Sequence, residues 1–149
     1  MYTAIELSKY VIDKCVHSGN AISNFHLQKT LFYIQLCFIR MFDKVAFRDV
    51  FEAWHYGPVI PLVYEEYKFF GCGPICQLFP AISDIFWNEE EKQLIDDVIE
   101  VCSSMDPWDL VDSVCMQGGP WDKAQKKREC SEIALTEMYK YAKVNYHTP

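Results

Sequence analysis

The spacing of apolar residues predicts a chain made mainly of α-helices. Across most of the sequence these residues recur every three or four positions, which is the period of a helix with one buried face. Capping residues or a first-turn proline mark helix starts near residues 3, 23, 61, 88, 106 and 131. Two starts, at Thr3 and Asn88, are followed by Glu three residues later, which is the spacing of a capping box.

The second helix is apolar on two faces. Its apolar side chains are Leu27, Leu31, Ile34, Phe38 and Met41 on one face and Phe32, Leu36 and Ile39 on the other. A helix that is apolar on both sides is normally buried, so we expect this one in the middle of the core. Its few polar side chains, Gln28, Lys29 and Gln35, fit three roles: buried anchors, contacts to a partner, or a solvent-facing edge.

A short stretch in the middle of the chain changes period. From Val45 to Trp54 apolar and polar residues approach simple alternation, which is typical of a strand, and Gly57 and Pro58 follow as a turn signal. We therefore expect a mainly α (α+β) fold, with a small β-hairpin element near residues 45–56 in a compact helical domain. No repeat or linker divides residues 1–149, so we expect a single domain, with a frayed tail at residues 146–149.

Charge narrows the classes of partner. Fourteen basic residues against twenty-one acidic ones give a net charge of −7, which repels phosphate backbones and attracts basic proteins. The one dense basic cluster, residues 123–128, has acidic neighbours and is typical of a solvated helix face. We expect no nucleic-acid binding by this chain alone.

The sequence predicts neither export nor membrane insertion. The first residues lack the basic-then-apolar pattern of a signal peptide, and no apolar run approaches the roughly 18 residues of a transmembrane helix. Seven cysteines, an odd number, then indicate free thiols in a reducing compartment rather than a disulfide scaffold. We expect a cytoplasmic protein that does not bind a membrane.

The candidate chemistry is sparse. Cys72 and Cys76 have metal-ligand spacing, with His55 upstream, but a second ligand pair is lacking, so we expect no metal site and no cofactor. Cys115 and the histidines do not lie in a hydrolase signature, and no phosphate-binding loop occurs. The sequence therefore favours a protein that is not an enzyme, with hydrolysis through Cys115 as an alternative.

Three segments resemble a known family, the Panacea antitoxin domain, which is also described as SocA-like or GepA-like. They are residues 27–35 (LQKTLFYIQ), residues 51–64 (FEAWHYGPVIPLVY) and residues 119–124 (GPWDKA), in the order that the family keeps. The chain departs from the family at one place. Members usually carry a Thr-His pair and then an acidic residue before the third segment, where this chain has Val114, Cys115 and Gln117.

The resemblance implies a toxin-neutralising module from a family that is common beside toxin genes and in prophages. Relatives restrain their toxins by direct binding or, in the SocA-like branch, by delivering the toxin to a protease. We expect a cognate toxin as partner, and the negative charge favours a basic one. The alternatives are a proteolytic adaptor or phage regulator that binds a protease or host factor and, as a third, a Cys-dependent hydrolase.

The second segment supplies the residues expected to contact the partner. Gly57, Pro58 and Pro61 restrict the backbone, which lowers the cost of presenting aromatic side chains to a partner. Packing in the core is the favoured role for Trp54, whereas His55, Tyr56 and Tyr64 are the better candidates for exposed contacts. With Trp121 from the third segment, the predicted site is Trp54, His55, Tyr56, Gly57, Pro58, Tyr64 and Trp121.

Overall fold

A computed structural model describes residues 1–86 and 88–144. Within these ranges seven α-helices and two short strands follow one another, with 3₁₀ turns at Lys68–Phe70 and Ile82–Ile85. In chain order the elements are α1 (Ala4–His17), α2 (Asn24–Phe42), β1 (Glu52–Trp54), β2 (Gly57–Val59), α3 (Pro61–Tyr67), α4 (Glu89–Ser104), α5 (Pro107–Val114), α6 (Pro120–Lys127) and α7 (Leu135–Val144). The predicted mainly α fold with a small β element is confirmed.

Helix α2 forms the centre of the core. Every residue from 26 to 39 is buried, which covers all sides of the helix over almost four turns. Helices α1, α3, α4, α5 and α7 and strand β2 all pack against it. The sequence prediction of a central buried helix is confirmed. In the described part of the chain, no helix has the length and apolar character needed to cross a membrane.

The helix starts follow the capping residues. Thr3 and Glu6 form the predicted capping box, and Ser23 accepts a hydrogen bond from the backbone N–H of His26. Asn88 likewise accepts from the backbone N–H of Glu91. The carboxylate of Glu91, however, accepts from the Tyr2 hydroxyl and pairs with Lys44, so it ties α4 to more distant parts of the chain.

The β element is shorter than predicted and lies further along the chain. Residues 45–51 form no strand, because their backbone groups bond to other partners: the Gln35 side chain bonds Ala46 and Phe47. Strands β1 and β2 pair antiparallel, with Ala53 opposite Pro58. Gly57 and Pro58, predicted to end the β element, therefore belong to its second strand.

The last helix begins later than predicted. Ser131 was expected to open it, but α7 starts at Leu135. The backbone of residues 130–133 instead pairs with the edge of β1 that β2 leaves free. The N–H of Ala53 donates to the Ser131 carbonyl, and the N–H of Cys130 donates to the Ala53 carbonyl. These bonds, with the bridge between Glu52 and Glu132, hold residues 131–133 against β1 after a turn at Cys130. The tail at residues 146–149 lies outside the described residues.

Candidate partner-binding site

The hairpin turn between β1 and β2 presents two of the predicted site residues to solvent. His55 and Tyr56 form the turn, and their rings lie 4.5 Å apart. The Tyr56 side chain is 53% exposed. Because β1 has hydrogen-bonded neighbours on both edges, its turn is held on a fixed support.

Two further aromatic residues lie beside this turn. The Tyr56 ring is 5.5 Å from Trp108, at the start of α5, and 6.5 Å from Phe25, at the start of α2. The rings of Phe25 and Trp108 are 5.2 Å apart, and Trp108 is 56% exposed. We call His55, Tyr56, Phe25 and Trp108 the tip surface.

Sequence reasoning missed Phe25 and Trp108 as site residues. The available signal concerned Trp108, which lies off the apolar stripe of its own helix; Phe25 instead shares the α2 face of Phe32, seven residues later. In α5 the buried stripe is Leu110 and Val114, four residues apart, and Trp108 does not share that spacing. Trp108 packs its ring against Tyr56 at the hairpin turn, and Phe25 contacts both rings there.

Lys29 lies buried beneath the tip surface. Its side chain is 1% exposed, and its Nζ lies 3.9 Å from the centre of the Phe25 ring. Burial lowers the pKa of the ammonium to about 8, an effect that the nearby Cys115 thiol partly opposes. Among residues 1–86 and 88–144, no carboxylate forms an ion pair with Nζ, and the group it contacts is the Phe25 ring.

Gly57 makes room for this lysine. The backbone of Gly57 has φ +129°, which residues with a side chain rarely adopt. A Cβ at this position would lie 2.8 Å from Cε of Lys29, closer than nonbonded carbon atoms approach. Glycine is therefore required here both for the backbone conformation and for the close approach of Lys29.

Three other predicted site residues, Trp54, Tyr64 and Trp121, are held together by contacts of Trp54. The Trp54 ring lies 5.0 Å from Tyr64, and the Trp54 carbonyl accepts a 2.8 Å hydrogen bond from Trp121 Nε1. All three side chains are half-buried, and Pro58 is buried. The structure thus divides the predicted set into an exposed turn, His55 and Tyr56, and a packed layer that joins β1 to α3 and α6.

The two glutamines of α2 are buried anchors, which decides between the roles left open by the sequence. Gln28 Oε1 accepts from the backbone N–H of Ile60, and its Nε2 donates to Asn24. Gln35 bonds both Ala46 N–H and the Phe47 carbonyl. Each amide therefore fixes an irregular segment that flanks the hairpin.

Cys115, the candidate nucleophile of the sequence, is not activated in the structure. Cys115 is half-buried at the end of α5, and burial raises its pKa to about 11, against the opposing effect of Lys29. At neutral pH the thiol is protonated, whereas the thiolate is the nucleophilic form. Cys15, Cys72, Cys76, Cys102, Cys115 and Cys130 are free thiols in the structure. Within the described ranges, no three His, Cys, Asp or Glu side chains gather as they would around a metal ion.

A comparison with known proteins assigns the family. Residues 27–122, almost two thirds of the chain, match the family described as "Antitoxin SocA-like, Panacea domain". The chain belongs to this family. The matched range contains the hairpin, Lys29, both buried glutamines, Trp108 and Trp121. Membership in this SocA-like family supports an antitoxin role, with a cognate toxin as partner.

A curated relative extends the likeness beyond the matched range. Antitoxin SocA of Caulobacter vibrioides (strain NA1000 / CB15N) is 26% identical over 163 aligned positions, which cover 96% of this chain and 85% of that protein. No solved structure matches the chain.

Proposed function

We propose that this chain is an antitoxin that neutralises a cognate toxin by binding it directly, and that the tip surface is the contact. The proposal is carried by one observation: Tyr56 and Trp108 are each more than half exposed although their rings lie only 5.5 Å apart. Exposed aromatic residues grouped in this way are typical of the few positions that supply most of the affinity in a protein interface.

The support beneath the tip surface favours binding. β1 is bonded on both edges, and Gln28 holds Ile60, just after β2. A surface that is already ordered loses little conformational entropy on binding, so more of the contact energy remains as affinity. The family assignment and the net charge of −7 support a toxin, in particular a basic one, as the partner.

Co-expression with the product of the adjacent gene tests the proposal. If that product arrests growth, this chain should relieve the arrest, and Tyr56→Ala or Trp108→Ala should weaken binding by roughly 30-fold, because central aromatic anchors contribute about 2 kcal/mol. Their melting temperatures should match the parent. Phe69→Ala is the matched control, because Phe69 is 77% exposed but lies on the 3₁₀ turn after α3.

Two further variants separate binding from other activities. Cys115→Ser should rescue growth as well as the parent chain, since Cys115 is a protonated, half-buried thiol at neutral pH. Tyr64→Ala should weaken toxin binding less than Tyr56→Ala, because Tyr64 is half-buried against Trp54. If Cys115→Ser abolished rescue while the folded protein still bound the toxin, a thiol-dependent activity would replace direct neutralisation.

The amount of toxin distinguishes direct binding from delivery to a protease. Direct neutralisation predicts that toxin accumulates in a stable complex with this chain, at the level seen with a catalytically dead toxin alone. Loss of the toxin only when this chain is present, reversed by deleting a host protease, would contradict the proposal and establish the adaptor alternative.

A further inference from the structure

The carboxylates beside the tip surface lack cationic partners. Asp106, Asp109 and Asp112 are exposed on and just before α5, a helix without a basic residue. Across the described ranges none of the three forms an ion pair, although carboxylates elsewhere do, such as Asp96 with Lys14 and Lys92. The negative charge of these three carboxylates is therefore exposed to solvent and open to a cationic partner.

These carboxylates lie next to the exposed Trp108 ring. Asp106 accepts a 2.8 Å hydrogen bond from the backbone N–H of Trp108, and Asp109 is the next residue in the first turn. Asp112 follows Trp108 by four positions, which places both on one face of the helix. Acidic and aromatic groups thus share one small area.

The two exposed rings form a corner. Tyr56 and Trp108 are perpendicular, with an interplanar angle of 90° and centroids 5.5 Å apart. The guanidinium of arginine is flat and can stack on one ring. Its N–H groups lie in the plane of the guanidinium and can then donate to carboxylates beside the ring. Lysine has a compact ammonium without this planar geometry, so the corner favours arginine.

Lys29 does not occupy this corner. Its buried ammonium lies against Phe25, and the rings of Tyr56 and Trp108 remain more than half exposed. An unpaired buried lysine could in principle attract an anion, but the exposed charges of α5 are all negative and would repel one. The observations favour a cation.

We propose that the corner of Tyr56 and Trp108, with Asp109 and Asp112, binds an arginine side chain that the toxin inserts. The guanidinium stacks on an aromatic ring and pairs with the carboxylates of α5. This inference rests on the proposed function and adds the chemistry by which the tip surface recognises its partner.

A single amino-acid probe tests the corner without the toxin. In a titration of this chain with N-acetyl-arginine amide, followed by nuclear magnetic resonance, we expect saturable shifts of the Trp108 indole signal with a Kd of about 10 mM, in the range of weak fragments. The lysine analogue should bind several-fold more weakly, and the neutral citrulline analogue should give no saturable shift. Asp109→Asn with Asp112→Asn should weaken binding by roughly tenfold, consistent with loss of charge-assisted bonds.

Asp97→Asn is the matched control, because Asp97 is an exposed carboxylate on α4. It should leave arginine binding unchanged, and Trp108→Ala should remove it. Equal binding of the citrulline analogue, preference for an acidic probe such as N-acetyl-glutamate amide, or absence of any shift with the arginine probe would each overturn the inference.

Arginine replacement in the toxin separates this inference from the proposed function. One toxin Arg→Gln change should lose at least tenfold in binding to the parent chain and little in binding to Trp108→Ala. If the toxin needs Tyr56 and Trp108 but tolerates replacement of every arginine, the inference is wrong and direct neutralisation stands. If the arginine probe binds but the toxin ignores the tip surface, the assignment of that surface as the toxin contact is wrong.

Discussion

Two buried polar side chains of α2, Gln35 and Lys29, have opposite surroundings. Gln35 satisfies its amide with two hydrogen bonds to the backbone of residues 46 and 47. Lys29, less than two turns earlier, has an aromatic ring against its ammonium and no carboxylate paired with it within the described residues. The buried polar group in the second half of the helix is thus satisfied by hydrogen bonds, whereas the buried charge in the first half has no counter-ion among the described residues.

The difference indicates where the fold tolerates a cost in stability. A buried amide with both atoms bonded holds an irregular segment in place, whereas a buried cation without a counter-ion destabilises the folded state. The destabilising residue lies directly under the exposed rings of the tip surface. The unfavourable burial of a charge therefore occurs next to the proposed contact and not in the core between α2, α4 and α7.

The largest effect is expected at the Gln35 end. Gln35→Leu keeps the side-chain volume but leaves the N–H of Ala46 and the carbonyl of Phe47 unbonded and buried, so the free energy of unfolding should fall by about 3 kcal/mol. Urea denaturation measures the change. Gln93→Leu, at an exposed glutamine on α4, should stay within about 0.5 kcal/mol of the parent. Similar small losses in both variants would show that Gln35 is not an anchor.

Gly57 offers the next largest effect, at the Lys29 end. Gly57→Ala should lower the free energy of unfolding by about 2 kcal/mol, because it adds a clash with Lys29 to a strained backbone. Gly71→Ala is the control for a positive φ without a clash: its φ is +61° and no atom lies within 4 Å of an added Cβ, so it should cost less than Gly57→Ala. In a Lys29→Ala background the gap between the two should narrow, and an unchanged gap would contradict the clash.

The smallest effect concerns the pH dependence of Lys29. Its pKa is about 8 in the folded state, lowered by burial from 10.5, so below pH 8 both states are protonated and the folded state carries the full cost. Between pH 8 and 10.5 the unfolded state holds more protons, and the parent therefore gains stability as the pH rises.

Comparison with Lys29→Met isolates this contribution. The methionine variant should be more stable than the parent at pH 7, and its advantage should shrink by about 1 kcal/mol by pH 9, as proton linkage requires for a pKa near 8. Denaturation of both proteins at each pH measures the difference, which cancels the titration of all other groups. A difference that is constant over this range would mean that Lys29 ionises as it does in water.

Local signals made the helices predictable. The capping box at Thr3 depends on residues three apart, and the burial of residues 26–39 follows from apolar side chains on two faces of one helix. The family segments located the hairpin turn and therefore His55 and Tyr56. None of these inferences needed knowledge of which distant residues meet.

The errors and omissions come from contacts between distant parts of the chain. Ser131 has the local character of a helix cap, but its backbone pairs with Ala53, nearly eighty positions away, and that pairing decides the conformation. The tip surface likewise joins residues 25, 56 and 108 from three elements. The polar role of Gln35 could not be chosen from the sequence, because its partners lie on an irregular segment without a pattern of its own.

The pairing of β1 with residues 130–133 has a consequence during synthesis. Helix α2 is made by residue 42, but α7, which covers part of it, starts about 90 residues later, so at about 5–20 residues per second α2 waits roughly 5–20 s for that partner. The second edge of β1 is filled at almost the same moment. The tip surface therefore acquires its full support only after residues 130–133 have been made, and a chain arrested before residue 130 would lack the second neighbour of β1 beneath the proposed contact.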